Sequence, residues 1–220
     1  MFLNKPYYRI TRPNKSGRWV NHIENTYILD NRYVDDRFSP IRVFHILASD
    51  LLKAFEFIEP CDDNRETYSH RIYELLLRAS TEFESNCKAI LDANGYTKSG
   101  NLNIIDYHKI NRASRLSEYE LYFNIWKPKP LLLKPFLEWN HPVFNPLSWY
   151  QDYNQVKHNR DKKFRLANVN NLMNAIAGLF IIIYSQFNMF SFSPFQVIGF
   201  HYRDENGFES IGDSIFKGSY

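Results

Sequence analysis

The clearest pattern along the chain lies between residues 63 and 94. Ile72, Leu75, Leu76, Ala79, Phe83, Cys87, Ile90 and Leu91 recur there at three- and four-residue spacing, which places them on one face of an α-helix. Asp63 is a candidate N-cap and Gly95 a C-terminal stop, so the spacing predicts one long helix ending near Asn94. Glu74, Glu82, Glu84 and Lys88 lie off the apolar stripe. An amphipathic stretch at Ile46–Glu59 ends at Pro60, and a shorter helix is predicted over Ile104–Arg112, followed by a strand-like Tyr119–Trp126. Lys127–Pro146 contains five prolines, which predicts an extended connector laid on the body through Phe136, Trp139 and Phe144. A second helical unit opens near Leu147, carries Trp149–Arg160 and resumes over Phe164–Phe187.

From Leu166 to Phe200 there is no acidic or basic residue, and Ala175–Tyr184 is continuously apolar. A spanning helix needs about 20 apolar residues. The shorter run here, flanked by asparagines and Gln186, predicts a core helix and no membrane partner. The two ends of the chain read differently. Tyr7–Thr11 and Trp19–Leu29 are rich in aromatic and β-branched residues, and Phe195–Tyr202 and Phe208–Ile211 flank an Asp-Glu-Asn-Gly turn. The expected fold is therefore α+β, mainly α: an antiparallel helical bundle with a small antiparallel sheet from the N- and C-terminal segments. One domain fits the 220 residues, with strands over residues 1–45, a helical core over 46–190 and a C-terminal hairpin over 191–220.

Composition changes this picture little. The chain is 44% hydrophobic and 23% charged, with 17% aromatic residues and a net charge of +3, so a packed body is expected and global charge selects no partner. Cys61 and Cys87 have neither CxxC spacing nor a histidine cluster nearby, which excludes a recognisable zinc site and suits a reduced, cytoplasmic setting. The basic N-terminus lacks the apolar stretch and cleavage site of a secretory leader. Glycine-rich phosphate loops are absent, which argues against an ATPase or a dehydrogenase, and no cofactor is implied.

Candidate chemistry concentrates in residues 148–165. Lys157, Arg160, Lys162, Lys163 and Arg165 face only Asp152 and Asp161 over residues 151–165, a local excess equal to the charge of the whole chain. Asn154 and His158 are four apart and share a helix face. Tyr150, Tyr153 and Lys157 line an adjacent one. A histidine can shuttle a proton near neutral pH while a cation steadies a phosphorane. His158 is thus the candidate acid/base, Lys157 and Arg160 the candidate cations and Asn154 a positioning amide. Tyr150, Tyr153, Lys162, Lys163 and Arg165 would hold bases and phosphates. The alternative is a solvated face whose tyrosines pack on the next helix, with Asn154 and His158 as a buried polar pair. Glu74, Glu82 and Glu84 would then meet the basic helix as ion pairs. A second basic run, Lys5, Arg9, Arg12, Lys15 and Arg18, interleaved with Tyr7, Tyr8 and Trp19, suits either a nucleic-acid surface or a charge-protected edge strand.

The long helix, the irregular middle, the Tyr-Asn-x-x-Lys-His-x-Arg helix and the apolar last helix together resemble the HEPN superfamily, over residues 46–190 and chiefly on Asn154-Gln-Val-Lys-His158. The resemblance implies an α-helical protein of bacterial antiphage or toxin–antitoxin defence, acting on RNA as a homodimer, often as a metal-independent endoribonuclease, with a protein partner encoded nearby. The family's motif is an arginine, four to six residues, then a histidine. His158 matches the histidine and Asn154 the polar residue after the arginine, while Tyr153, Asp152 and Gln151 occupy the arginine's places. This departure leaves a non-catalytic binding or assembly module as the alternative. Arg65-Glu-Thr-Tyr-Ser-His70 matches the pattern literally, away from the family's motif position.

Overall fold

The computed structural model describes residues 8–10, 36–141, 143–187 and 200–203, the last four as backbone. The chain is mainly helical with a small antiparallel sheet. Helix α1 spans Phe38–Phe55 and buries Ile41, Phe44, Leu47, Ala48, Leu51 and Ala54. It starts eight residues ahead of the expected Ile46, so residues 38–45 are helical where strands were expected. Ile41 and Phe44 continue the apolar spacing upstream, and Pro40 falls in the first turn, where a missing N–H costs nothing. The Asp36 carboxylate accepts from the N–H groups of Phe38 and Ser39, which satisfies two of the donors that a helix start leaves open.

Helix α2, His70–Ala93, buries every residue of the predicted stripe. Its start differs from expectation. Asp63 lies in a 3₁₀ turn over Asp62–Asn64, and the N-cap is Ser69, whose hydroxyl accepts from the Ile72 N–H at 3.2 Å. The end is as read: Gly95 takes φ +68°, and the Tyr96 N–H closes on the Leu91 carbonyl. Ser69→Ala is expected to cost about 1 kcal/mol, read as a lower denaturant midpoint at unchanged slope.

Helix α3, Ile104–Ser114, opens with a capping box between Asn103 and Asp106. Strand β1, Glu120–Phe123, falls inside the predicted Tyr119–Trp126. The proline-rich connector departs from a plain extended course: it supplies strand β2, Leu131–Leu133, and a 3₁₀ turn at Leu137–Asn140. Prolines on both sides keep β2 short and at the edge of the sheet. The sheet order is β2-β1-β3, with β3 at Phe200–Arg203 pairing antiparallel to β1. The sheet is thus centred on the middle of the chain, and the C-terminal segment only adds to it. Of the expected N-terminal strand at Tyr7–Thr11, residues 8–10 form a turn clamped by Asn94, whose side-chain amide exchanges two hydrogen bonds with the Tyr8 backbone. The Trp19–Leu29 and Phe208–Ile211 strands lie outside the described residues.

The last helical unit has three pieces: α4 at Ser148–His158, α5 at Arg160–Lys163, and α6 at Val169–Phe187, with a 3₁₀ turn at Phe164–Leu166. By length and composition α6 could cross a membrane, but 89% of that stretch is buried inside the protein. It packs along α2 and against α1 and α4, as a core helix. Close approach to α4 depends on Gly178: a Cβ there would sit 3.2 Å from the Trp149 ring.

Candidate nucleic-acid interface

The site begins with the way α4 sits on the core. Trp149, Tyr150, Tyr153 and Val156 form its inner face, which leaves Asn154 half-buried and Gln151, Lys157 and His158 exposed. Tyr150 and Tyr153 were expected to offer their rings to bases. Both are buried, which withdraws them from stacking. Tyr150 Oη donates to Glu84 Oε1 at 2.9 Å, and Lys157 Nζ donates to Tyr153 Oη at 2.9 Å while lying 5.1 Å from the ring centroid. Burial, and then the Glu84 charge, push the Tyr150 hydroxyl far above its ordinary pKa. Burial also raises Tyr153, against the pull of Lys157. The bond to Tyr153 raises Lys157 in turn and holds it charged. These groups therefore tie α4 to α2, and the Lys157 ammonium is committed to Tyr153.

Several other expected pairings do not form. No side-chain hydrogen bond joins Asn154 to His158 among the described residues; His158 ends α4 in the open. Glu84 pairs with Lys88 and Glu74 with Arg71, both within α2, so these glutamates do not meet the basic segment as ion pairs. Asp152 instead accepts from the buried Asn171 amide at 3.0 Å, joining α4 to α6. Arg65 is held by Asp62, at 2.9 and 2.7 Å, and lies over the Trp126 ring, while the His70 ring lies on Phe164. Arg65 and His70 are thus each engaged elsewhere.

Beyond His158 the helix breaks at Asn159, whose φ −143° and ψ 54° are not helical. The chain then presents α5 and its cations beside the start of α2. Phe164, half-buried between Lys163 and Arg165, anchors this stretch with ring centroids 4.8 Å from His70, 5.5 Å from Tyr68 and 6.0 Å from Tyr73. The Arg160 guanidinium lies 5.6 Å from the Tyr73 centroid, and that of Arg165 lies 5.8 Å from Tyr68. Backbone bonds fix the junction: the Val169 and Asn170 N–H groups donate to the carbonyls of Thr67 and Arg65, both at 2.9 Å. Asn168 Nδ2 adds a bond to Glu66 at 2.8 Å. Lys162 and Lys163 are exposed and have no ion pair among the described residues.

The result is a face on which Arg160 lies over Tyr73 and Arg165 over Tyr68, with the exposed Lys162 and Lys163 between them in sequence and Phe164 packed against Tyr68, His70 and Tyr73. Cations of this kind bind phosphates, and rings beside them offer faces to bases. Each arginine also gains from the ring beneath it. Tyr68, His70 and Tyr73, from the start of α2, lie outside the 148–165 segment in which the charge concentrates. The signal available was Phe164 set between two cations, with Tyr68, His70 and Tyr73 crowded into one helical start. Of the basic N-terminal run, Arg9 bonds to Gln186 and lies over Phe187, and the remaining cations lie outside the described residues. Among the described residues no cluster of His, Cys, Asp or Glu could hold a metal ion. Compared with protein-family models, curated proteins and solved structures, the chain matches none.

Proposed function

We propose that this chain is a HEPN-like, RNA-directed protein that binds RNA through the face of α5 and the start of α2. One observation carries the reading: exposed cations of α5 and of the turn after it, of which Arg160 lies over Tyr73 and Arg165 over Tyr68. In this reading the helices form the antiparallel bundle of HEPN domains, paired as a homodimer, and the role is in antiphage or toxin–antitoxin defence. Lys162, Lys163 and the two arginines hold phosphates, and the rings set the register of the bases. The N–H groups and ammoniums of such a face act on the sugar–phosphate backbone, so affinity falls steeply with salt.

A metal-independent endoribonuclease is the second reading, favoured by His158, which is exposed and whose side chain carries no hydrogen bond among the described residues. There His158 is the acid/base, Asn154 positions the scissile group and Arg160 is the cation, because Lys157 is committed to Tyr153. One experiment addresses both readings: binding and cleavage of labelled RNA, with EDTA present, by the full chain and two variants. Lys162→Glu with Lys163→Glu is expected to weaken binding about tenfold and to lower the slope of log K against log salt by about 1.4. Unchanged affinity would overturn the binding face. Cleavage lost in His158→Ala, with binding retained, would establish the nuclease; no cleavage by either would leave a binding module.

A further inference from the structure

The first turns of α2 form a ridge, with His70, Arg71, Glu74, Arg78 and Thr81 exposed along it. The α5 cations occupy one flank, where Tyr73 carries Arg160. The other flank faces α1, and it is built around a single carboxylate. Asp50 Oδ2 accepts from Arg78 at 2.7 Å, and Oδ1 lies 3.3 Å from both Arg71 and Lys53. The Arg78 bond, helped by Lys53 and Arg71, holds the Asp50 carboxyl below its ordinary value. Asp50 is largely covered, with its side chain 16% exposed, while the three cations point outward at 43–61%. Next to them lies an open groove of about 330 Å³ lined by Arg42, His45, Ile46, Ser49, Asp50 and Lys53. Among the described residues, the cations Arg42, Lys53, Arg71 and Arg78 stand at this flank with the carboxylates Asp50 and Glu74. Burial lowers His45, which adds no positive charge at neutral pH.

Arg42 and Lys53 with the Ser49 hydroxyl give this groove the groups that take a phosphate, beside the exposed Ile46. The two cationic flanks are separated by one helix, about 10–12 Å across with its side chains. A single strand of a few nucleotides can cross that distance. We propose that the α1–α2 groove is a second phosphate-binding station, reached by an RNA strand that crosses α2 from the α5 face. The station rests on the RNA reading above and extends its footprint to Arg42 and Lys53, both exposed on α1.

The test is the full chain carrying Arg42→Glu with Lys53→Glu, compared with the wild type and with the Lys162/Lys163 double variant. Each is titrated with labelled RNAs of about 5 and about 20 nucleotides at several salt concentrations. Retained helical content and melting temperature serve as the folding control. For the groove variant, binding of the long RNA is expected to fall about tenfold and its salt slope by about 1.4, with the short RNA affected less. Long-RNA affinity and slope equal to wild type, while the α5 variant is impaired, would overturn the station and leave the RNA face standing. If the wild type binds neither RNA, the RNA reading itself fails and takes the station with it. Thermal stabilisation by inorganic phosphate, lost in the groove variant while the long-RNA slope stays unchanged, would make the groove a free-phosphate site and also overturn the crossing strand.

Discussion

Trp149→Ala is expected to remove about 3–5 kcal/mol of stability, the range for deleting a large buried aromatic side chain. Trp149 stands where α2, α4, α6 and the proline-rich connector meet. Its ring is 5.5 Å from Phe83 and 5.6 Å from Tyr150, and its indole Nε1 donates to the buried Pro135 carbonyl at 2.8 Å. Truncation opens a cavity in rigid surroundings and leaves that carbonyl without its donor. Gly178 provides an internal check, because a Cβ at this position meets the same ring at 3.2 Å. Gly178→Ala should therefore be poorly tolerated in the wild type yet stabilising beside Trp149→Ala, where its methyl group enters vacated space. The two effects should differ from additivity by at least about 0.5 kcal/mol. Denaturant unfolding followed by circular dichroism reads all four proteins. Strict additivity would mean that the ring does not set the approach of α4 to α6.

The parts of the fold that were legible in the sequence are those fixed by local spacing. The stripe on α2 is unambiguous because eight apolar residues hold one face over its whole length. The helix start was not, because Asp63 and Ser69 are equally good caps. What decides between them is a contact distant in sequence: the carbonyls of Arg65 and Thr67 accept from residues 170 and 169, which keeps that stretch extended. The expected start of α1 at Ile46 came too late because Ile41 and Phe44 already carry the apolar spacing, and Pro40 in a first turn is compatible with helix. The strand Leu131–Leu133 was hidden for the opposite reason. Prolines at 128, 130 and 135 exclude a central strand but allow an edge one.

The same distinction governs the candidate site. Charge is visible in a sequence without any knowledge of packing, so Lys162, Lys163 and the arginines beside them could be found by counting. Ring exposure depends on which face of α4 turns inward. Trp149, Tyr153 and Val156 at four- and three-residue spacing mark that face, and once they are taken as the core side, Tyr150 and Tyr153 cannot be a stacking platform. The rings that do border the cations, Tyr68 and Tyr73, come from α2 and its entry and reach Phe164 only through the fold.

Asp106→Asn is expected to cost about 2–4 kcal/mol near neutral pH and to flatten the acid side of the stability profile. Asp106 is buried in the first turn of α3, where its carboxylate accepts from Lys98 Nζ at 2.8 Å, Tyr96 Oη at 2.8 Å and the Asn103 N–H at 2.9 Å. These bonds tie the exit of α2 to the entry of α3. An asparagine of the same size can accept from Tyr96, but its NH₂ would then confront the Lys98 ammonium and the Asn103 N–H, three donors with no acceptor between them. Lys98 is about one-third exposed and can turn to water, which keeps the cost below that of a fully enclosed broken pair. Burial pushes the Asp106 carboxyl up, yet the bonds from Lys98, Asn103 and Tyr96 outweigh it and hold the pKa below its ordinary 3.8. The unfolded chain therefore takes up the proton first. The stabilisation is complete above the ordinary value and is lost as pH falls through the lower, folded one. Asp50 and Asp62 are depressed in the same direction, so the wild-type profile alone reports all three. The difference between wild type and Asp106→Asn isolates one carboxyl: it should be constant from neutral pH to about pH 5 and shrink below about pH 4. A difference that stays constant through that window would mean that the loss comes from packing and not from the ionised carboxylate.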